Sequence, residues 1–202
     1  MLLKNGIVVS GSGCTRQDIR MDEGRILQTG AGLNPLEGEA VMDVSGCLVA
    51  PGGIDAHTHF DMPCGSIMTS DDFETGTRAA VAGGTTTVID FSEPDHGASL
   101  QSGLDRWHEK ADGRSFTDYS FHMTVARYDE GIEEEILSMI RQGVTSFKAY
   151  TAYKGDLGVE DRDMYRLLSL MKKHGVLLMV HCENGDILDV RREELAAGHP
   201  DI

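Results

Sequence analysis

Pro51-Gly52-Gly53-Ile54-Asp55-Ala56-His57-Thr58-His59-Phe60 is the stretch at which the character of the chain changes. Before it, short alternating segments are divided by Gly, Ser, Asn and Asp. After it, β-branched apolar runs alternate with helical ones. Side chains on a strand point to opposite faces in turn, so His57 and His59 project to one side and Thr58 to the other. Two imidazoles on one face can share a cation, because neutral imidazole is the commonest metal ligand and zinc accepts it at about 2.0–2.1 Å. A surface loop can also carry such a pair, so its meaning depends on what later strands bring beside it.

Downstream, Ser70-Asp71-Asp72-Phe73-Glu74 opens a helix over 70–82, with Asp71 and Glu74 at capping-box spacing and Gly83-Gly84 as the stop. Thr85-Thr86-Thr87-Val88-Ile89-Asp90-Phe91 reads as a strand, 100–112 as a helix and 119–125 as a strand. A third helix follows over 131–142, then a strand over 144–150. The helix over 160–174 carries Met164, Leu167, Leu168 and Met171 on one side. A strand over 175–181 and a helix over 187–197 complete the series. Five strand-helix units in succession imply parallel strands joined by right-handed crossovers. An open doubly wound sheet and a (β/α)8 barrel both fit. No GxGxxG or GxxxxGK[ST] follows a strand, so nucleotide binding has no support. His57, His59, Lys148 and His181 all fall at C-terminal strand ends, where a barrel builds its active site.

Upstream, residues 1–50 read as a small β unit with strands near 2–9, 17–21, 24–28 and 39–44. Such a sheet is too small to bury both faces and is expected to lean on a neighbour. The 202 residues are 40% hydrophobic and 25% charged, ordinary for a globular chain with a sizeable core. A net charge of −15 argues against nucleic-acid and anionic-membrane partners. No apolar run has the length of a membrane span, and the N-terminus reads as strand and turn, so a cytoplasmic protein is expected. Cys14, Cys47, Cys64 and Cys182 form no CxxC pattern and are expected as free thiols, Cys64 and Cys182 lining or packing near the histidines.

Lys148 alternates with Phe147 and Ala149 and so shares a face with Ser146 and Tyr150. A buried ammonium is costly. Either a carboxylate pairs with it, or burial favours the neutral amine, which can add carbon dioxide and become a carbamate able to bridge two divalent cations. His181, ending the last apolar strand, is either a core histidine or a further ligand.

The segments PGGIDAHTHF, DDFETGTRAAVAGGTTTVIDF, DYSFHM, SFKAYTAYKG and VHCENGD, in order along nearly the whole chain, resemble the dihydropyrimidinase and D-hydantoinase group of the amidohydrolase superfamily. The resemblance implies an α/β fold: the first five strand-helix units of a (β/α)8 barrel over 51–202, preceded over 1–50 by the N-terminal part of a small β-sandwich. It implies two zinc ions bridged by N6-carboxylysine at Lys148, with His57 and His59 on the first and His181 on the second. Tyr153 matches the tyrosine that stabilises the oxyanion. The implied reaction is hydrolytic opening of a small cyclic ureide or amide, a 5,6-dihydropyrimidine or 5-substituted hydantoin, to an N-carbamoyl amino acid, in a homotetramer. Allantoinase and dihydroorotase share the His-X-His and the modified lysine, but Asp61-Met62-Pro63 followed by DDFETGTRAA points to the dihydropyrimidinase branch. The collapsin response mediator proteins, non-catalytic relatives, have lost ligands that this chain keeps.

The family's later strands supply another histidine and an aspartate, for which His199 and Asp201 are wrongly spaced. The chain is therefore expected to be the N-terminal part of a longer enzyme, inactive alone or dependent on assembly with another chain. Loops 61–69 and 150–158 are expected to border the substrate. His122 is expected beside Ser120 and Thr124 on an inward face, outside the ligand set, and Asp90 as a carboxylate that orients a loop. Histidines 96, 108, 174 and 199 are expected in solvent. So is the Glu133-Glu134-Glu135 run, favoured there by the helix dipole.

Overall fold

A computed structural model describes residues 1–64 and 66–198, Cys64 by its backbone only. His199 and Asp201 lie outside the described residues. The chain divides into two compact units, Met1–Gly52 and Gly53–Ile202.

In the first unit, β1 (Leu2–Ser10) lies at the centre of a five-stranded sheet. It pairs antiparallel with β2 (Gly13–Asp22), which in turn pairs with β3 (Arg25–Gly30). The short strands β4 (Val41–Asp43) and β5 (Leu48–Val49) run parallel to β1. Asp18 is buried and accepts the Asn5 and Leu33 backbone N–H groups at 2.7 and 2.8 Å. Those bonds, Asn5 foremost, hold its carboxyl below the usual range. Leu2 and Ile19 are buried, whereas Ile26, Leu27, Met42 and Leu48 are exposed.

The second unit is built on a parallel sheet in strictly sequential order: β6 (Gly53–Thr58), β9 (Thr85–Ser92), β10 (Asp118–Thr124), β11 (Ser146–Lys154) and β12 (Leu177–His181). A short antiparallel pair, β7 (Pro63–Cys64) and β8 (Ile67–Met68), follows β6 in the segment expected to be a plain loop. The intervening helices are α1 (Phe73–Ala82), α2 (Leu100–Ala111), α3 (Ile132–Arg141) and α4 (Asp161–His174), and α5 (Gly185–Gly198) comes last. Phe121, Met123, Phe147 and Ala149 face the helices and pack with Trp107, Ile136, Met139 and Leu167 in one buried cluster. The alternate residues of the same strands are left for the concave face. Sequential parallel strands with helices on one face are the first five units of a (β/α)8 barrel, and the open doubly wound alternative is set aside.

Local chemistry corrects three of the expectations. The cap of α1 is Asp72, not Asp71: its backbone is extended, its carboxylate accepts the Thr75 N–H at 2.7 Å, and the Thr75 hydroxyl accepts the Asp72 N–H at 3.1 Å. Asp71 lies one residue earlier, its carbonyl accepting the Asp61 N–H and its carboxylate the Thr75 hydroxyl at 3.2 Å. On α4 the buried side runs through Met164, Leu167, Leu170 and Met171. Leu168 falls about 40° beyond the Met164 edge of that stripe and is 46% exposed. Gly175 closes this helix in the left-handed region (φ 68°). The glutamate run is not simply a solvated face, because α3 lies between two helices. Glu135 accepts the first N–H of α2, that of Leu100, at 2.7 Å and pairs with Arg127. Glu133 pairs with Lys173 and His174 of α4 at 2.5 and 2.9 Å.

Candidate functional site

β6 ends at Thr58, so His57 is its penultimate residue and His59 the first beyond it. Their rings stand 5.2 Å apart, nearly perpendicular. Both rest on Phe91 near the end of β9, at centroid distances of 4.6 and 4.8 Å. His122 of β10 packs on the same ring at 4.8 Å. The Lys148 Nζ of β11 lies 5.6 Å from its centre and 5.1 Å from that of Tyr150. Phe91 is thus the floor on which the imidazole pair and the lysine meet. Strand alternation puts Phe91 opposite Asp90, and that period was the signal for a residue not singled out from the sequence.

His181 pairs with Tyr150 across β11 and β12, which places it on the face that carries Lys148. Its ring is 5.6 Å from Tyr150 and 5.7 Å from Tyr153. Its Nε2 bonds Glu183 at 2.6 Å, leaving Nδ1 open. The candidate residues therefore form two groups, one on Phe91 and one around Tyr150, with Lys148 reaching both. β11 runs on through Tyr153 and Lys154, where a loop had been expected. Tyr153 adopts a left-handed backbone (φ 60°), costly for a bulky residue. Gly158 braces it: a Cβ there would lie 2.2 Å from the Ala152 carbonyl oxygen.

Lys148 is 8% exposed, and among the described residues no carboxylate lies within ion-pair distance of its Nζ. Burial depresses its pKa, with Cys182 and Glu93 acting in the other direction. Burial also lowers the pKa of His59, assisted by His57 and Lys148, and that of His122. All three groups are driven toward the neutral form, whose lone pair can bind a cation. The Nδ1 of His59 is buried with no hydrogen-bond partner among the described residues. His122, by contrast, uses both nitrogens, Nδ1 on the Ser146 hydroxyl at 2.6 Å and Nε2 on the Ala56 carbonyl at 2.9 Å. Among the described residues no three His, Cys, Asp or Glu side chains converge on one point. The arrangement fits metal ions held by two imidazoles together with a lysine-derived group.

Asp90 lies behind this face, fully buried. It accepts the Thr58 hydroxyl at 2.8 Å, the Phe60 N–H at 2.9 Å and the Trp107 indole N–H at 2.8 Å. Its pKa is raised by burial, against the pull of those bonds. Glu93, just past β9, is likewise raised by burial and accepts the Tyr150 hydroxyl at 3.3 Å. His96, His108 and His174 lie elsewhere, beside oxygens of Asp156, Asp112 and Glu133, and His174, expected in solvent, is partly buried between α3 and α4. Cys14, Cys47 and Cys182 are free thiols.

The chain is 43% identical over 202 residues to the D-hydantoinase of Geobacillus stearothermophilus, an alignment that covers 99% of this chain and 43% of the relative. It is 40% identical over 189 residues to the dihydropyrimidinase of Dictyostelium discoideum, covering 93% and 38%. The crystal structure of dihydropyrimidinase from Brevibacillus agri NCHU1002 superposes with a TM-score of 0.93 at 40% identity, over 98% of this chain and 43% of that one. The chain thus spans less than half the length of these relatives, and the fold they share with it is the amidohydrolase barrel. The amidohydrolase family profile matches residues 48–201, and the chain belongs to that family.

Proposed function

We propose that this chain carries the metal-binding half of a cyclic-amide hydrolase that opens 5,6-dihydropyrimidines or 5-substituted hydantoins to N-carbamoyl amino acids. The observation that carries the reading is Lys148: a buried amine with no carboxylate partner among the described residues, on the aromatic floor shared with His57 and His59. The similarity to D-hydantoinases and dihydropyrimidinases supports the substrate class.

In this reading His57 and His59 would hold one zinc ion and His181 a second. Lys148 would help to hold both ions, its neutral Nζ taking up carbon dioxide with loss of a proton to give a carboxylate-like carbamate. Two such ions would supply Lewis acidity to water and to the scissile carbonyl. The chain's own residues do the rest. Tyr153, fixed in its unusual backbone conformation, donates its hydroxyl to the carbonyl oxygen as negative charge develops there. His122, tied to two strands, keeps the floor in register and takes no part in ligation. The described residues supply only part of a two-metal set, so the 202-residue chain by itself is proposed to be inactive.

The test is ring opening of 5,6-dihydrouracil and of a 5-substituted hydantoin by the natural gene product, stripped with chelator and reloaded with zinc and bicarbonate. Lys148→Ala is expected to abolish turnover, and a short carboxylic acid, able to occupy the vacated space, to restore part of it. Full activity of Lys148→Ala without added acid would refute the assignment. Turnover by the 202-residue chain at the rate of its longer relatives would refute its proposed inactivity.

A further inference from the structure

Histidines that bind metal are held by outer hydrogen bonds, usually through their own second ring nitrogen. Here, among the described residues, no hydrogen bond holds the His59 ring, and the constraint reaches the pair through the backbone. Asp90 lies on the helix-facing side of β9, opposite Phe91. Its Oδ2 accepts both the Thr58 hydroxyl and the Phe60 N–H, the residues on either side of His59. Its Oδ1 accepts the Trp107 indole N–H of α2. All three donors meet a carboxylate with no solvent exposure. The same helix grips the chain once more: Lys110 lies 3.9 Å from the Trp107 ring centre, and its Nζ donates to the Asp61 carbonyl at 2.7 Å. Beyond the strand end, where ladder bonds stop, these contacts set the direction in which His59 points.

We infer that Asp90 is a positioning residue that fixes the His57–His59 pair by clamping Thr58 and Phe60 to α2. This rests on the proposed role of the two imidazoles as ligands. An asparagine of the same shape cannot reproduce the clamp. Its single oxygen serves either Thr58 and Phe60 or Trp107, and its amide group then faces an N–H donor on the other side.

The test uses the 202-residue chain, with hydrogen exchange of the Phe60 amide and zinc affinity by competition with a chromophoric chelator as its two readouts. In Asp90→Asn, Phe60 exchange is expected to quicken by about tenfold or more with α3 amides unchanged, and zinc affinity to fall by roughly 10- to 100-fold. Thr58→Val, which removes one bond and keeps the shape, is expected to lower zinc affinity severalfold, and it decides the matter should Asp90→Asn fail to fold. Unchanged Phe60 exchange in Asp90→Asn overturns the inference, as does faster exchange with wild-type zinc affinity. Unchanged zinc affinity in a folded Thr58→Val overturns it where Asp90→Asn does not fold. If the wild-type chain takes up no zinc but Phe60 exchange responds, the clamp stands and the assignment of the imidazoles as ligands is what fails.

Discussion

Gly76, on the buried side of α1, sets helix propensity against packing. In an open helix, alanine in place of glycine stabilises by about 1 kcal/mol. Here the added Cβ would lie 2.2 Å from Phe60 Cε1, 2.7 Å from Cδ1 and 2.9 Å from Cζ, more than an ångström inside ordinary contact at the nearest point. The ring has little room to retreat. Phe73 meets it edge-on at 5.3 Å, and Asp90 holds its backbone N–H. If the ring swings outward it gives up burial, and if α1 backs away it opens the interface with β9. Overpacking of this kind costs about 1–3 kcal/mol, so steric strain should outweigh propensity. Gly76→Ala is expected to destabilise by about 1 kcal/mol net, a fall in Tm of about 2–4 °C for a chain of this size, read by urea titration and thermal melting. Because Phe60 follows His59 directly, zinc affinity should fall as well. A Gly76→Ala chain more stable than wild type would refute the reasoning, since propensity would then have won and the ring would be free to move.

Lys148→Met in the metal-free chain should raise stability by the order of 1 kcal/mol at neutral pH, the low end of what an unpaired buried polar group costs. The sign of the pH dependence follows from the lowered native pKa of this amine: between that value and the ordinary 10.5 the unfolded chain holds more protons. Wild-type stability therefore rises with pH across that window, with the penalty fully present below it. Urea titrations from neutral to alkaline pH should show that rise in wild type and lose this component in Lys148→Met. A less stable methionine variant would contradict the account. Gly158→Ala should disturb the Tyr153 backbone more than Gly76→Ala disturbs Phe60, because its Cβ would meet the Ala152 carbonyl, which cannot rotate away as a ring can. In the natural gene product, the expected signature is a loss in kcat larger than any change in zinc content, and unchanged kcat would count against a role for the Tyr153 conformation.

Strand-helix alternation was legible because each unit carries its own punctuation, as in Gly83-Gly84 before Thr85. The shared face of Lys148 and Tyr150 follows from a period of two that tertiary packing does not override. What pattern could not supply was partner choice. Asp71 and Asp72 are equivalent as sequence, and only the folded backbone shows that the Asp72 carboxylate is the one that takes the Thr75 N–H and caps α1. The glutamates of α3 read as a solvated face until the flanking helices present Leu100, Arg127, Lys173 and His174 to them. The reach of β11 past Tyr150 depends on isolated bridges to Gly158, which no local propensity encodes. At the site, the candidate ligands were visible as residue types at strand ends. The aromatic floor and the carboxylate behind it belong to one strand, and alternation alone could have separated their faces.

Trp107 is the only tryptophan of the chain. Its indole is buried, bonded to Asp90 and covered by the Lys110 ammonium. Tryptophan emission from this molecule therefore comes from a single fluorophore, one carboxylate away from the backbone that bears the imidazole pair. A shift in its emission maximum or lifetime reports movement behind that strand end without any label being introduced.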